Sequence, residues 1–396
     1  MLGLLGAIQR DHVDRDRFMA IHRALRLLAY TLLAGLVFPS LAHGQWTFDG
    51  VPMCTAPNVQ LVPGIVPDGL GGAVIFWVDG REGRPDLYAQ RVTLDGRISR
   101  GWPVNGAFLL ERVGGEIGRP MGISDGAGGA ILVWEDERDV STSLHSIYAL
   151  RVTGEGALAS GWPKDGFPVC TAPGDQTAPQ LVSDGAGGAF ITWQDRRNDP
   201  GGPFPSPDIY AHRVTANGEI PAGWPVNGIP ICTTPEQQGN PTLSSDETVG
   251  AVISWADGRN LATTGADIYA QRVIASGAIA PGWIADGIAV STAPGHQNSP
   301  ETVTDDHGGT LVIWLDARTD PDFDIYAQRI SGDGTIAPGW PADGAPLSTA
   351  PGYQFFLSAA ADGLGGAVVA WEDYTNPTAS DIYAQRVTAE PNSLSC

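Results

Sequence analysis

Three aspartates at alternate positions could hold a calcium ion. Asp320, Asp322 and Asp324 have the D-x-D-x-D spacing of calcium-binding loops, and carboxylate oxygens are the ligands that this ion prefers. Asp324 has counterparts in related segments of the chain, whereas Asp320 and Asp322 do not. The segment lacks the central glycine and the bidentate glutamate of an EF-hand loop. A calcium site and a solvated acidic loop are therefore both consistent with the sequence. No cofactor other than calcium is predicted.

The segment Gly122–Gly126 has the G-x-S-x-G pattern of a catalytic serine. That pattern does its chemistry only on a sharp turn from a strand into a helix. The corresponding segment Leu181–Gly185 belongs to a turn that recurs between two strand-like runs. We therefore expect a hairpin at this position and no nucleophile.

Two charged residues recur once in each of six segments. One is the aspartate of a W-x-D motif: Asp79, Asp136, Asp195, Asp257, Asp316 and Asp373. The other is the arginine of Y-A-Q-R or its variants: Arg91, Arg151, Arg213, Arg272, Arg329 and Arg386. Six equal copies could form a ring of ion sites, but a catalytic set would break the symmetry. We expect each pair of residues to make the same structural contact in every copy.

These motifs belong to a repeat of about sixty residues, a period typical of solenoids and propellers. Three aromatic positions mark each copy. The first is the W-x-D tryptophan: Trp77, Trp134, Trp193, Trp255, Trp314 and Trp371. The second is the tyrosine of D-I-Y-A: Tyr88, Tyr148, Tyr210, Tyr269, Tyr326 and Tyr383. The third is a tryptophan that usually follows glycine: Trp46, Trp102, Trp162, Trp224, Trp283 and Trp340.

The third copy shows which elements the repeat encodes. Apolar runs at Pro179–Ser183, Ala189–Trp193, Asp208–Val214 and Ile229–Cys232 alternate with turn residues such as those of Asp184–Gly188. Both faces of these strands are apolar, as expected for sheets that are packed between two neighbours. Four short strands in each of six copies predict an all-β protein, a six-bladed β-propeller of four-stranded blades.

The order of the strands predicts how the ring closes. The mature chain is expected to begin with a fourth strand, Trp46–Cys54, and to end after a third strand, Asp381–Val387. We expect these two strands to pair and to complete the sixth blade, which leaves no open edge between blades. The propeller then spans residues 45–388, and residues 389–396 form a short tail.

Residues 1–44 have the composition of a signal peptide. Arg23 and Arg26 precede the apolar run Leu27–Phe38, and small residues follow as far as Gly44. Met19 is an alternative start of translation. The apolar run is short for a membrane span, so we expect no membrane span in the mature chain, a retained N-terminal anchor being the alternative. The protein is predicted to be secreted, on the cell surface or in the periplasm.

The charge of the chain argues against a nucleic-acid partner. There are 44 Asp and Glu residues against 23 Lys and Arg, a formal net charge of −21. Such a surface repels phosphate backbones and anionic membranes. The 4 cysteines are too few for a disulfide scaffold. Cys54, Cys170 and Cys232 occupy one repeat position, which we expect to be a small buried site.

The stretch GGAVISWADGRNLATTGADIYAQRV and its five relatives resemble the repeats of BNR/Asp-box, sialidase-like propellers of secreted bacterial proteins. Those blades carry a similar W-x-D-x-R and D-I-Y strand pair, followed by a turn that appears here in degenerate form as Ser331–Gly334. The resemblance covers residues 46–388. It implies a propeller architecture. For function, it implies the activity of a glycoside hydrolase.

The lengths of the connections indicate where a ligand would bind. The distance from the W-x-D tryptophan to the tyrosine ranges from 11 residues (Trp77 to Tyr88) to 17 (Trp193 to Tyr210), whereas the other spacings hardly change. A scaffold keeps its framework constant and varies its binding loops. The predicted ligand-binding residues in these connections between strands two and three are Phe204, Phe323, Tyr374, Arg84 and Arg197.

Two functions of different class remain. The first is a secreted, non-enzymatic binding or surface scaffold protein that engages a glycan or a cell-surface protein through the strand two to three connections. The second is a glycoside hydrolase or lyase of the sialidase-like superfamily. Asymmetric carboxylates clustered at the central channel would favour the enzyme, and a symmetric channel would favour the scaffold. The sequence favours the first function.

Overall fold

The structure is a computed structural model that describes residues 46–110, 117–138, 144–201, 205–319, 321–376 and 379–390. The chain divides into two units, Met1–Thr47 and Phe48–Cys396. The predicted signal peptide, residues 1–44, lies outside the described residues. Within the described ranges, no helix is long and apolar enough to cross a membrane.

The second unit consists of six antiparallel sheets, each formed by strands that are consecutive in the chain. Sheets one to three contain β1 (Gln60–Pro67), β2 (Ala73–Asp79), β3 (Asp86–Val92) and β4 (Ala107–Leu110); β5 (Met121–Ser124), β6 (Ala130–Asp136), β7 (Ser146–Val152) and β8 (Phe167–Cys170); and β9 (Gln176–Ser183), β10 (Ala189–Asp195), β11 (Asp208–Val214) and β12 (Ile229–Cys232). Sheets four to six contain β13 (Gln238–Ser245), β14 (Gly250–Asp257), β15 (Asp267–Ile274) and β16 (Ile288–Ser291); β17 (Gln297–Thr304), β18 (Thr310–Asp316), β19 (Asp324–Ile330) and β20 (Ala345–Ser348); and β21 (Gln354–Ala361), β22 (Gly366–Asp373) and β23 (Asp381–Thr388).

The all-β prediction and the strands of the third copy are confirmed. Of its four strands, β11 and β12 have the predicted bounds, while β9 begins earlier, at Gln176, and β10 ends at Asp195. The segment around Ser124 is the predicted hairpin between β5 and β6. It turns because Asp125 Oδ1 accepts the backbone N–H groups of Ala127 and Gly129, both at 2.8 Å.

The core lies in the middle strands of each sheet. Nearly every side chain of β10 and β11 is buried, on both faces of the strands, as the sequence predicted. Trp193 is fully buried, and the tyrosine beside it, Tyr210, is 7 % exposed. Successive sheets contact each other through their first strands, so that β9 contacts β5 and β13, and β17 contacts β13 and β21. The sheets therefore follow one another in chain order.

A repeated hydrogen-bond contact links each sheet to the next. In sheet three, Arg213 donates to the turn carboxylate Asp184 Oδ2 at 2.8 Å and to the carbonyl oxygen of Ala275 in sheet four at 3.2 Å. The indole Nε1 of Trp224 donates to the same carbonyl at 2.9 Å. The equivalent carbonyls that join sheets one to two, two to three and four to five belong to Gly154, Ala216 and Gly332. The Y-A-Q-R arginine thus has the predicted structural role.

The sixth sheet differs from the prediction. Residues 46–54 form no strand, so the described residues contain 23 strands in place of the expected 24, and the sixth sheet has three. Ile382 and Tyr383 of β23 are consequently 74 % and 51 % exposed, whereas Ile209 of β11 is fully buried. The other five fourth strands are just as short, and each pairs with three residues of its third strand. The physical reason is that the N-terminal segment is not anchored in the core. Trp46 is 57 % exposed, whereas Trp224, at the corresponding position of sheet three, is 6 % exposed.

Candidate functional site

The W-x-D aspartates bind framework residues. In sheet three, Asp195 Oδ2 accepts hydrogen bonds from Trp193 Nε1 at 2.7 Å and from Arg197 Nη2 at 2.6 Å. The Arg197 guanidinium also lies 3.9 Å from the centroid of the Tyr210 ring. Its Nη2 contacts the thiol sulfur of Cys170, in the sheet before, at 3.0 Å. The cluster therefore links β8, the fourth strand of sheet two, to β10 and β11 of sheet three.

The same cluster recurs around Arg81, Arg138, Arg259 and Arg318. In sheet one, burial by itself raises the pKa of Asp79, but the hydrogen bonds from Arg81 and Trp77 outweigh it and hold the pKa at about 2. Arg197, which the sequence predicts as a ligand residue, is thus one copy of a repeated framework contact. This placement argues against a ligand role.

The repeat position that carries cysteine is buried in two of its three copies, whereas Cys54 is only partly buried. Cys170 and Cys232 are both fully buried. Burial raises the pKa of each thiol to about 12, so neither is a thiolate at neutral pH. A reactive cysteine requires thiolate character, and these two have a packing role.

The first strands carry the residues that differ from sheet to sheet. In five of them, the third residue lies at a β-bulge and has a positive φ between 46° and 52°; these residues are Val62, Ala178, Asn240, Ser299 and Phe356. A bulge re-aims a side chain, and non-glycine residues with positive φ concentrate at binding and catalytic sites. The framework is thus repeated, whereas the side chains that the bulges re-aim are all of different types.

Four of these first strands, β9, β13, β17 and β21, border an open cavity of about 410 Å³, called here the strand-one cavity, to which β18 contributes Leu315. Its polar lining consists of amide and hydroxyl groups, including those of Gln180, Asn240 and Ser299, and of the carboxyl group of Glu301. The aromatic ring of Phe356, 75 % exposed, lies on its wall. Cavities of this size and mixed polarity are typical of small-molecule sites.

Glu301 stands apart from the rest of this lining. It is the only charged residue among those that line the strand-one cavity. Its carboxyl group has no hydrogen bond or ion pair with the part of the chain that the structure describes. Burial raises the pKa of Glu301 to about 7. At neutral pH this carboxyl group can therefore donate a hydrogen bond or accept one.

A second cavity, of about 330 Å³, lies among the strand two to three connections and is called the connection cavity. It is lined by connection residues Pro207, Ala266 and Phe323, by His296, and by Asn240, which also lines the strand-one cavity. The two cavities therefore adjoin each other. This arrangement brings the variable connections and the variable first strands into one region.

An aromatic cluster of Phe323, Tyr353, Phe355 and Tyr374 borders this region. The ring of Phe355 lies 5.3 Å from Tyr353, 6.2 Å from Phe323 and 6.2 Å from Tyr374, measured between centroids. Tyr374 also donates its hydroxyl to Glu372 Oε2 at 2.9 Å. The structure thus joins two of the predicted ligand residues, Phe323 and Tyr374, through Phe355, which the sequence reasoning missed.

The remaining predicted site residues are not brought together. Arg84 is half exposed, with its Nε 3.6 Å from Asp86 Oδ1, while Phe204 lies outside the described residues. Asp320 also lies outside them, and Asp324 is buried and accepts a hydrogen bond from Thr319. In the described ranges, no group of three or more His, Cys, Asp or Glu side chains could hold a metal ion. Calcium binding by Asp320, Asp322 and Asp324 stays a prediction.

One signal in the sequence could have located the missed residues. The first-strand position of Glu301 holds Gly64, Met121, Gln180, Thr242 and Ser358 in the other copies. When the residue type varies at a constant repeat position, that position does not take part in the contacts of the repeated framework. The strand two to three connections differ in length between copies, and this difference is visible in the sequence. The first-strand position of Glu301 differs in residue type without any change of length.

No protein-family model matches the chain, and no curated protein matches it. Similar solved structures include puromycin hydrolase (18 % identity, TM-score 0.46, 87 % of this chain and 47 % of that chain). They also include a polysaccharide lyase, ulvan lyase (11 %, 0.44, 85 % and 87 %), and endo-arabinase from Bacteroides thetaiotaomicron (11 %, 0.34, 72 % and 98 %). The chain spans about half the length of puromycin hydrolase. At these TM-scores the similarities carry no argument about function.

Proposed function

We propose that this protein is a secreted glycan-binding protein. Its ligand site comprises the strand-one cavity, the connection cavity and the aromatic cluster beside them. The observation that carries this proposal is the contrast between the copies. The W-x-D framework is nearly the same in the first five sheets, whereas the bulge residues of the first strands differ in type. A side chain that is free of the framework role is available to bind a ligand.

The chemistry of the region supports a saccharide as the ligand. Sugar rings present apolar faces, which aromatic rings such as Phe356 can cover, and hydroxyl groups, which amides such as Asn240 can bind as donor and acceptor. Amides that serve as both donor and acceptor suit a ligand whose hydroxyls do the same. A concave site of about 410 Å³ suits a small ligand better than the flat interface that a cell-surface protein would need. We therefore favour the glycan over the protein partner.

Glu301 is the observation that favours the second candidate, a glycoside hydrolase or lyase. A carboxyl group whose pKa burial raises to about 7 is suited to general acid and base catalysis at neutral pH. Glycoside hydrolysis ordinarily requires two carboxyl groups, about 5–9.5 Å apart. Among the described residues that line the two cavities, Glu301 is the only one with a carboxyl group. We therefore place the enzyme second.

The site requires a rigid scaffold, and we propose that the six sheets close into a six-bladed propeller. In this proposal Val51–Cys54 forms the fourth strand of the sixth blade. By the register of sheet three, in which Ile209 pairs with Cys232 and Ala211 with Ile229, Ile382 would pair with Cys54. Pairing would cover the side chains of β23 that are now exposed.

The contacts of Cys54 support this closure. Arg81 Nη2 lies 3.2 Å from Cys54 Sγ, and the backbone N–H of Thr55 donates to Asn105 Oδ1 at 2.8 Å. In sheet three, Arg197 Nη2 contacts Cys170 Sγ at 3.0 Å, and Thr171 donates to Asn227 in the same way. Cys54 therefore contacts sheet one as the last residue of β8 contacts sheet three. Only its pairing with β23 is missing.

The glycan proposal is tested by a glycan array, followed by measurement of affinity for the saccharides that bind. An aromatic contact is worth about 1–3 kcal/mol in an interface, so Phe356→Ala should weaken binding about five- to a hundred-fold. The matched control is Phe108→Ala, because Phe108 is also exposed but belongs to a fourth strand, β4. If no saccharide binds, or if both variants reduce affinity equally, the proposal fails. Release of reducing or unsaturated ends from a bound saccharide would favour a glycoside hydrolase or lyase over a non-enzymatic glycan-binding protein.

A further inference from the structure

Glu301 has an environment that lacks a counter-charge. The residues around it lie on the first strands β9, β13, β17 and β21 and on β18, and those that line the cavity are Ala, Gln, Asn, Pro, Thr, Ser, Leu and Phe. None of these side chains titrates or carries a charge. Glu301 is partly buried. A carboxylate that is largely removed from water without a partner is unfavourable, and the nearby groups do not relieve that cost.

The same lining offers what a bound ammonium group would need. Glu301 supplies a negative charge, and the side-chain oxygens of Asn240, Gln180 and Ser299 can accept N–H hydrogen bonds. The ring of Phe356 can interact with a cation through its face. The net charge of the chain, −21, favours the approach of cations. A divalent metal would need more ligands, and one carboxylate among amides is a poor set for it.

We propose that the strand-one cavity binds the protonated amine of an amino sugar, with Glu301 as its counter-ion. This inference rests on the proposed glycan-binding function and names the class of saccharide. An acetylated or neutral sugar lacks the positive charge, so Glu301 sets the specificity. Because the carboxyl group is largely protonated below neutral pH, its pairing with an ammonium group must release a proton.

The test is calorimetry of the full chain with oligomers of glucosamine, with N-acetylated oligomers of equal length and with neutral glucose oligomers. We expect the glucosamine oligomer to bind at least tenfold more tightly than the other two. At pH 6, titration in two buffers of different ionisation enthalpy should show the release of close to one proton per site. Glu301→Gln should abolish the proton release and weaken binding of the amine at least tenfold.

Glu219→Gln is the charge-matched control, because Glu219 is an exposed residue at a turn, and its change should leave affinity within twofold. Equal binding of amine and neutral oligomers without proton release overturns the inference and leaves the glycan-binding function standing. Failure of every saccharide to bind overturns both. If Glu301→Gln does not fold, the unaltered protein still tests the inference. Proton release when it binds the glucosamine oligomer supports the inference, and binding without proton release contradicts it.

Discussion

The sixth sheet and the third sheet have nearly the same sequence motifs and different surroundings. Trp371 packs on Tyr383 with a centroid distance of 6.2 Å, and Trp193 packs on Tyr210 at 6.3 Å. Yet Tyr383 is 51 % exposed and Tyr210 only 7 %. The difference is the fourth strand, which covers the third strand of sheet three and is missing from sheet six. A repeat motif therefore determines the pairing of neighbouring strands, and burial depends on the strand that follows.

The sixth sheet also lacks one framework residue. Where sheet three has Arg197, sheet six has Thr375, whose backbone N–H donates to Asp373 at 2.9 Å. Asp373 is buried, as Asp195 is, but it has no arginine two residues later. The last sheet is thus held by weaker contacts.

The largest effect concerns the closure of the sixth sheet. If Val51–Cys54 pairs with β23, Ile382→Cys places a thiol opposite Cys54, which is free. Oxidation should then form a disulfide, which can stabilise a long loop by up to about 4–5 kcal/mol. The measurements are peptide mapping under non-reducing conditions and thermal unfolding with and without reductant.

Sheet three provides the matched control, because Ile209 already pairs with Cys232. Because Cys232 is fully buried in the folded protein, both variants are oxidised during refolding, and Ile209→Cys should then form a disulfide with Cys232. Ala384→Cys, two residues along β23, should form none with Cys54. Efficient cross-linking of Ile209→Cys together with none of Ile382→Cys would show that the sixth sheet stays open.

The next effect compares the two aspartates. Asp195→Ala leaves the Arg197 guanidinium without its carboxylate, and removing one partner of a buried ion pair costs about 3–5 kcal/mol. Asp373→Ala leaves no arginine behind, so we expect a loss of about 1–2 kcal/mol, typical of a lost hydrogen bond in a buried site. Chemical denaturation of both variants measures the difference. Equal losses would mean that the arginine adds nothing to the framework.

The smallest effect concerns pH and the first strands. The pKa of Glu301 is about 7 in the folded protein against 4.5 for the unperturbed group. A raised pKa means that the carboxyl group stabilises the fold fully below pH 4.5 and that this stability is lost as pH rises toward 7. Glu301→Gln should therefore be as stable as the native protein at pH 4 and more stable by about 3 kcal/mol at pH 8.

Thermal unfolding across this pH range, with Glu219→Gln as control, measures the effect. A stability difference that is independent of pH would show that Glu301 ionises normally. The expected gain in stability on removing Glu301 agrees with a residue kept for ligand binding, because such groups commonly lower the stability of the free protein.

Much of the fold follows from the sequence because its signals are local. The alternation of apolar runs with turns such as that at Asp125 placed β9 to β12 with errors of a few residues. The recurrence of the W-x-D aspartate and of the Y-A-Q-R arginine predicted structural contacts, which the hydrogen bonds of Asp195 and Arg213 confirm. Their repetition indicated this structural role, because a residue that makes the same contact in each sheet cannot serve one asymmetric site.

The candidate site follows from the sequence only in part. Phe323 and Tyr374 were predicted from their place in connections of variable length, and both belong to the aromatic cluster of the proposed site. Arg197 was chosen in the same way, but its guanidinium belongs to the framework. Loop position alone does not say whether a side chain turns toward the cavity or back onto its own sheet.

The sequence by itself determined the repeat, its strands and the contacts that each copy must make, because these depend on residues close together in the chain. Tertiary structure decided what happens between copies. The bulges bring Ala178, Asn240, Ser299 and Phe356, one from each of four sheets, to a single cavity. The packing of those sheets partly buries Glu301 and raises its pKa. Both results depend on side chains about sixty residues or more apart in the chain, a distance at which sequence periodicity gives the repeat but not the shape of the space between copies.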